Sequence, residues 1–375
     1  MDIPFFKNLS LAKGLALFKP KAASVLGIDL GTSSFKIVQL RRDKEQGVLE
    51  TYGELASGPY GGAEIGKSVK LVDQKIVEMI GDLLKETNAT SKSAVVSIPL
   101  RNSFVTKISL PLMSETELAE AITYEARRYI PVPSNEVIID WMLLPQSIAS
   151  SDREDEGFAK ERRFMDVLLV AIHRELVEKY QSIFKTADLN VLAFEIEVFS
   201  QVRSVLGREV APVLIVDIGA QSTRLTVVDY GIVRLSHNLD RGSQDLTQAL
   251  SRSLNIDFER AEKLKRETGL SGRPEHKEIV GVIQPLLDYI FSEAERVSTD
   301  YHQRNNRAIK RVILAGGGAN LKGIVDFSIN KFGIESSTAN PFSRVTYPAF
   351  LEPVLKDLGP TFSNSLGLAL RALQD

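Results

Sequence analysis

The sequence predicts a two-domain α/β protein, and three stretches carry that reading. VLGIDLGTSSFKIVQL, Val25 to Leu40, sets two β-rich apolar runs on either side of a polar turn, the pattern of a hairpin. VLIVDIGAQSTRLTVVD, Val213 to Asp229, repeats the layout position for position: Asp217 matches Asp29, Gly219 matches Gly31, Ser222 matches Ser34 and Arg224 matches Lys36. VILAGGGANLKGI, Val312 to Ile324, runs a buried strand into Gly316, Gly317 and Gly318 and then a helix. Two similar hairpins in separate halves imply two related domains facing a shared cleft.

A D-x-G turn between two strands is by itself usually just a hairpin. Its chemistry is nevertheless suited to phosphate. Backbone N–H groups and the hydroxyls of Thr32, Ser33 and Ser34 can surround the anion, Gly31 permits close approach, and Asp29 can hold a hydrated Mg²⁺ beside it. The bare backbone of Gly316 to Gly318 suits contact with a flat ligand or a phosphate at a helix N-terminus.

Composition sets the outer bounds. A chain of 375 residues, 43% hydrophobic and 25% charged, is an ordinary globular protein long enough for two domains. A formal net charge of −2 gives no global electrostatic reason to bind nucleic acid. With Cys 0, disulfides and thiolate metal sites are excluded, which fits a reducing cytoplasm. No apolar run approaches the roughly 18–20 residues that span a bilayer, so a soluble or membrane-peripheral protein is expected. Residues 3–21 mix Phe5, Phe6, Leu9, Leu11, Leu15, Leu17 and Phe18 with Lys7, Lys13, Lys19 and Lys21. They read either as an interfacial helix on an anionic membrane or as a loose tail, and not as a signal peptide.

Along the chain, Gly53 to Gly66 reads as loop, Val69 to Lys85 as an amphipathic helix and Ala94 to Ile98 as a buried strand stopped by Pro99. From Leu100 a distinct unit begins: a strand from Ser103 to Leu110, a helix capped by Ser114 and Glu117 and stopping before Pro131, then strands Val137 to Leu144 and Phe164 to Ile172. The polar insert at 150–163 reads as a mobile loop. Leu176 to Ala187 is a predicted helix, Val191 to Glu195 a strand, and Phe199 to Leu206 a helix crossing to the second half. Gln244 to Leu254 and Asp257 to Glu267 follow as helices. The second puts Glu262 and Lys265 on one face, an ordinary charge pair on spacing alone. Ile279 to Asn306 is a predicted helix interrupted near Pro285, and the chain ends in a short apolar helix from Asn364 that packs back on the first domain.

Together, the two D-x-G hairpins and the late strand-GGG-helix resemble the actin, Hsp70 and sugar-kinase superfamily. This implies an actin-like (ribonuclease H-like) two-domain ATPase fold. The unit from Leu100 to Ile172 falls where FtsA, the bacterial division actin, carries its inserted subdomain. Within and beyond it, YEARRYIPVPSNEVIIDW, FMDVLLVAIHRELVEKY, VDIGAQSTRLTVV and the AEKLK helix closely resemble the type IV pilus assembly PilM family. The resemblance implies a segment at 1–21, subdomain 1A at 22–99, 173–209 and 345–375, the inserted subdomain 1C at 100–172, 2A at 210–237 and 309–344, and 2B at 238–308. It implies ATP and Mg²⁺ as ligands, with Asp29 and Asp217 holding the hydrated metal. Gly31, Thr32, Ser33, Ser34, Gly219, Ala220, Gln221 and Ser222 would line the phosphates, with Lys36 neutralising charge. Glu262, Lys265, Gly316, Gly317 and Gly318 would hold the nucleoside. Glu197 or Gln221 would orient the attacking water, with Glu195 in reserve, and turnover is expected to be slow or absent.

The implied role is a cytoplasmic adaptor, peripheral to the inner membrane, that captures the N-terminal cytoplasmic segment of PilN and connects through PilN and PilO to the pilus machine. Tyr124 and Arg127 on the inserted subdomain's helix are the candidate partner contacts. Three alternatives differ in testable ways. A sugar kinase needs a carboxylate aimed at a sugar hydroxyl and usually larger insertions. A division actin is expected to end in a polar linker and a membrane-binding helix, whereas the sequence ends Ala372-Leu373-Gln374-Asp375. A similar adaptor of a type II secretion or pseudopilus system is distinguishable by genomic neighbours.

Overall fold

A computed structural model of the chain describes residues 24–44, 46–130, 132–133, 135–144 and 164–374. The segment at 3–21 and the insert at 150–163 lie outside these. The first hairpin forms as β1 (Ser24–Leu30) and β2 (Ser34–Asp43), with Asp29 directly opposite Lys36. β3 (Gln46–Ala56) extends the antiparallel ladder, and α1 (Asp73–Glu86) leads to β4 (Ser93–Ile98), parallel to β1.

The chain then leaves this sheet for β5 (Ser103–Pro111), α2 (Glu115–Glu125), β6 (Val137–Leu143) and β7 (Phe164–His173). The strands make a separate sheet in the order β5-β7-β6. The capping box at α2 is present: the Glu117 N–H donates to Ser114 Oγ at 3.3 Å and the Ser114 N–H to Glu117 Oε2 at 2.8 Å. Central β7 is buried on both faces. Val167, Leu169 and Ala171 pack with Leu118 and Ile122 of α2, while Leu168, Val170 and Ile172 join the core of the main body. That two-sided burial is why its sequence is a continuous apolar run and not an alternating one.

α3 (Arg174–Thr186) and β8 (Asn190–Ile196) return to the first sheet, whose order is β3-β2-β1-β4-β8. α4 (Glu197–Val205) crosses to β9 (Val213–Ile218), β10 (Thr223–Asp229) and β11 (Ile232–Leu239). Helices α5 (Ser243–Leu254), α6 (Phe258–Thr268) and α7 (Lys277–Asn305) precede β12 (Arg311–Ala315), α8 (Ile324–Phe332) and β13 (Glu335–Thr338). The second sheet runs β11-β10-β9-β12-β13, the order of the first. The repeat read from two hairpins therefore extends over five strands on each side. α9 (Glu352–Gln374) packs on β1 and β2.

One core joins the two sheets through α4: Ile28 and Val96 on one side, Val198, Phe199 and Val202 in the helix, Val213, Ile215 and Ile313 on the other. Beneath it lies a buried ion cluster. Arg203 of α4 donates to both Glu195 carboxylate oxygens at 2.7 Å, and Arg371 of α9 lies 3.4 Å from the same carboxylate. Glu195 is 3% exposed and does not line the cleft, so it is not a reserve catalytic acid but the tie between α4, β8 and α9.

The structure corrects several element boundaries. Gly53 to Ala56 is strand, not loop. A Cβ at Gly53 would lie 2.2 Å from Thr87 Cγ2 at the end of α1, so that glycine allows close packing and does not mark a turn. α1 begins at Asp73, leaving Val72 67% exposed before it. α4 begins at Glu197. α7 runs through Pro285 without interruption and α9 begins twelve residues before Asn364, with Pro360 inside it. A proline inside a helix removes its own amide donor and crowds the carbonyl four residues before it, but both helices are held by packing: Ile283 and Leu287 flank Pro285 in the core, and the Gly316 N–H donates to the Pro360 carbonyl at 2.9 Å.

Replacing Glu195 with Gln removes the shared carboxylate while two guanidinium groups stay buried. A loss of about 3–5 kcal/mol is expected, read as a fall in the urea midpoint, whereas an unchanged midpoint would show that the cluster does not hold α4 to α9.

Candidate functional site

The two hairpins turn their D-x-G loops toward one another across a cavity of about 290 Å³. Its lining contains Asp29, Gly31, Thr32, Ser33, Ser34 and Lys36 from the first hairpin, and Asp217, Gly219, Ala220, Gln221 and Ser222 from the second. Glu197, Glu262, Lys265, Gly316, Gly317 and Gly318 complete the set expected from sequence. Tyr124 and Arg127 lie away from it on the inserted unit. There the Arg127 guanidinium sits 5.7 Å from the centroid of the Tyr124 ring, which is 70% exposed.

The hairpins are alike in backbone and different in charge. In the first, Lys36 stands opposite Asp29 on β1 and opposite Glu54 on β3. Its ammonium goes to the Glu54 side, donating to Ser34 Oγ at 2.7 Å and lying 3.4 Å from Glu54, while Ser34 Oγ donates to Glu54 at 2.6 Å. Burial alone would raise the Glu54 carboxyl, but Lys36 and Ser34 outweigh it and hold it below the usual range. Asp29 is left to accept from Ser97 Oγ at 2.8 Å. In the second hairpin Arg224 is opposite Asp217, but its β11 neighbour is Asn238, which offers no charge. Arg224 therefore turns into the cleft and pairs with both Asp217 and Glu197. Glu197 also accepts from the Leu100 N–H at 3.0 Å. Burial pushes the Glu197 carboxyl up against the pull of Arg224. For Arg224, burial works against the charge, but Glu197, Asp217 and Asp29 outweigh it and keep the guanidinium protonated.

On the second half, the Lys265 ammonium donates to Glu262 at 2.7 Å, to Thr247 Oγ1 at 2.9 Å and to the Ser243 carbonyl at 3.1 Å. Lys265 is 5% exposed, so this is a positioned pair and not the solvated one that spacing alone allows. Burial lowers the Lys265 ammonium; for Glu262 burial acts upward, and Lys265, Thr247 and Arg266 bring it down overall. Gly316 adopts φ +77, and a Cβ there would meet Asp217 Oδ1 and the Ile218 carbonyl. A Cβ at Gly318 would run into Ile218, whereas nothing outside its chain neighbours lies within 4 Å of where a Gly317 Cβ would be, so Gly317 is the open residue of the run.

These features fit a nucleotide. The two D-x-G turns face each other, and a buried Lys–Glu pair and the glycine run line the same cavity. Among the described residues no cluster of three or more His, Cys, Asp and Glu could bind a metal directly. Asp29, with Asp217 drawn toward Arg224, suits Mg²⁺ that keeps its water and is held mainly by phosphate oxygens. Sequence reasoning paired Arg224 with Lys36 but gave it no role. The signal was available in the third strand, where Glu54 stands beside Lys36 and Asn238 beside Arg224. Arg101, also in the lining, was missed.

The family model for type IV pilus assembly protein PilM matches residues 27–373. The chain is similar to the solved PilM-PilN type IV pilus biogenesis complex, at 24% identity and a TM-score of 0.78, over 95% of this chain and 100% of that one. Ethanolamine utilization protein EutJ from Carboxydothermus hydrogenoformans shares the fold at 16% identity and a TM-score of 0.53, over 97% of this chain and 94% of that one. In sequence, the chain is 23% identical over 340 residues to cell division protein FtsA of Streptococcus pneumoniae serotype 2 (strain D39 / NCTC 7466), covering 82% of this chain and 73% of FtsA. The fold is the actin-like two-domain α/β fold.

Arg224→Met leaves Asp217 and Glu197 without their common cation. It is expected to destabilise the protein by about 3–5 kcal/mol, and adding Glu197→Gln to recover part of the loss. Strictly additive unfolding energies for the two changes would show that the pair is not coupled.

Proposed function

The chain belongs to the PilM family of type IV pilus assembly proteins, and we propose that it is an ATP-binding adaptor that uses its inserted subdomain to hold the cytoplasmic N-terminal segment of PilN. The observation that carries the nucleotide half is the meeting of both D-x-G turns, the Glu262–Lys265 pair and the glycine strip in one cavity. The adenosine end lies with Glu262, Lys265 and Gly316 to Gly318, and the phosphates lie between Gly31–Ser34 and Gly219–Ser222. Mg²⁺ bound with the nucleotide supplies charge neutralisation at the phosphates.

Glu197 and Gln221 are the groups that would orient water. Glu197 receives both Arg224 and the Leu100 N–H on one oxygen, Oε1, which fixes the orientation of the carboxylate in the cleft. The proposed working event is binding, with slow or absent turnover.

For the partner, the similarity to a PilM-PilN complex is joined by a physical argument. β5 and β6 are the outer strands of the inserted sheet, and an extended peptide gains affinity by pairing with such an edge and filling side-chain pockets. Tyr124 and Arg127 offer an exposed aromatic and cationic contact nearby. Through PilN, and PilO beyond it, the protein would sit at the cytoplasmic face of the inner membrane. No helix among the described residues is long and apolar enough to cross a membrane.

Calorimetric titration with a synthetic peptide of the PilN N-terminus, with and without Mg²⁺ and ATP, tests the adaptor reading. Saturable one-to-one binding is expected. Absence of binding in either state, together with ATP-dependent sedimentation as filaments, would favour a division-actin role. Asp29→Asn is expected to reduce by about tenfold the gain in ATP affinity that Mg²⁺ provides, a difference of about 1.4 kcal/mol. An undiminished Mg²⁺ effect would remove Asp29 from the metal's surroundings.

A further inference from the structure

The cations lining the cleft are not equally available to a ligand. Lys36 is tied to Glu54, Arg224 to Asp217 and Glu197, and Lys265 and Arg266 to Glu262. Arg101 is different. Its Nη1 donates to the neutral side-chain amide of Gln221 at 3.3 Å, across the cleft in the second turn. Among the described residues no carboxylate lies within ion-pair distance of it. A guanidinium bonded to an amide exchanges that contact readily for a phosphate, which offers a charge-assisted, two-pronged bond in its place.

Arg101 also occupies a particular point in the fold. It is the middle residue of the 3₁₀ turn Leu100–Asn102, which joins β4 of the main body to β5 of the inserted sheet. The cleft holds this turn from two directions, through the Leu100 N–H on Glu197 and Arg101 on Gln221. On its other side, Ser103 Oγ donates to the Leu100 carbonyl at 2.8 Å, binding the turn to the first residue of β5. β5 then pairs with β7 from Ser103 opposite Ile172 to Pro111 opposite Phe164. The turn thus runs directly into the strand with no loop between them.

We propose that Arg101 is the residue that distinguishes a nucleoside triphosphate from a diphosphate, by leaving Gln221 for the terminal phosphate, and that its turn passes this distinction to the inserted sheet. This rests on the nucleotide reading above. The diphosphate leaves the Arg101–Gln221 contact in place; the triphosphate replaces it and re-aims β5, one of the strands offered to a peptide.

The full chain, wild type, Arg101→Ala and Arg101→Lys, is titrated calorimetrically with ATP and with ADP in Mg²⁺. Hydrogen exchange is followed in Ser103–Pro111 and Val137–Leu143 of each nucleotide complex. The wild type is expected to exchange differently in those strands with ATP and with ADP. Arg101→Ala is expected to lose about tenfold of the ATP-over-ADP preference together with that difference, and Arg101→Lys to recover part of both. Wild-type strands that exchange identically with the two nucleotides overturn the relay, whatever the variants do. An Arg101→Ala protein that keeps the full ATP preference overturns the recognition while leaving the cleft as a nucleotide site. If the wild type binds neither nucleotide, the parent reading falls and takes this inference with it.

Discussion

A buried guanidinium at the centre of the cleft constrains most of what surrounds it. Arg224 meets Asp217 on its own hairpin and Glu197 at the head of the crossing helix, so one cation from the second half neutralises a carboxylate from each. Both would be costly to bury without it. Because Glu197 also holds Leu100, the arrangement fixes three things at once: the second turn, the start of α4, and the point where the inserted subdomain leaves the main body. The core between the sheets, built on Phe199 and Val202, continues from that same helix.

The duplication explains why such an arrangement arises and why the two sides are not interchangeable. Each half offers a basic residue opposite the aspartate of its D-x-G turn. On the first side β3 provides Glu54, which takes Lys36 away and leaves Asp29 open to the cavity. On the second side β11 provides Asn238, which does not compete, and Arg224 stays on Asp217. One neutral residue in a third strand thus makes one aspartate suited to a hydrated metal and the other part of a structural ion pair. The same guanidinium also fixes Glu197 at the head of α4, through its Oε1.

What could be read from the sequence was what is local or repeated. The D-x-G turns, the glycine run and the Ser114–Glu117 cap announce themselves through residue type and spacing, and all fall where expected. Glu262 and Lys265 were legible as a pair, but their burial against Thr247 and Ser243 depends on α5 packing on α6. Two of the misjudged elements share a cause. Gly53 and Pro285 are punctuation in a linear reading, yet in the folded chain Gly53 admits Thr87 and Pro285 sits in a helix kept by tertiary contacts. Glu197 ranked ahead of Glu195, two residues before it; an alternating strand would put both on one face, but β8 ends at Ile196, so Glu195 stays with Arg203 and Arg371 while Glu197 opens the next helix at the cleft. Arg101 carries no motif and acquires its meaning only from the side chains across the cavity.

The most direct test of the account is a crystal structure grown with Mg²⁺ and a non-hydrolysable ATP analogue. The account predicts the phosphates between Gly31–Ser34 and Gly219–Ser222, the adenosine against Glu262, Lys265 and Gly317, and Arg224 still bridging Asp217 and Glu197. A cleft that stays empty at saturating analogue, or an analogue bound elsewhere on the molecule, would contradict it.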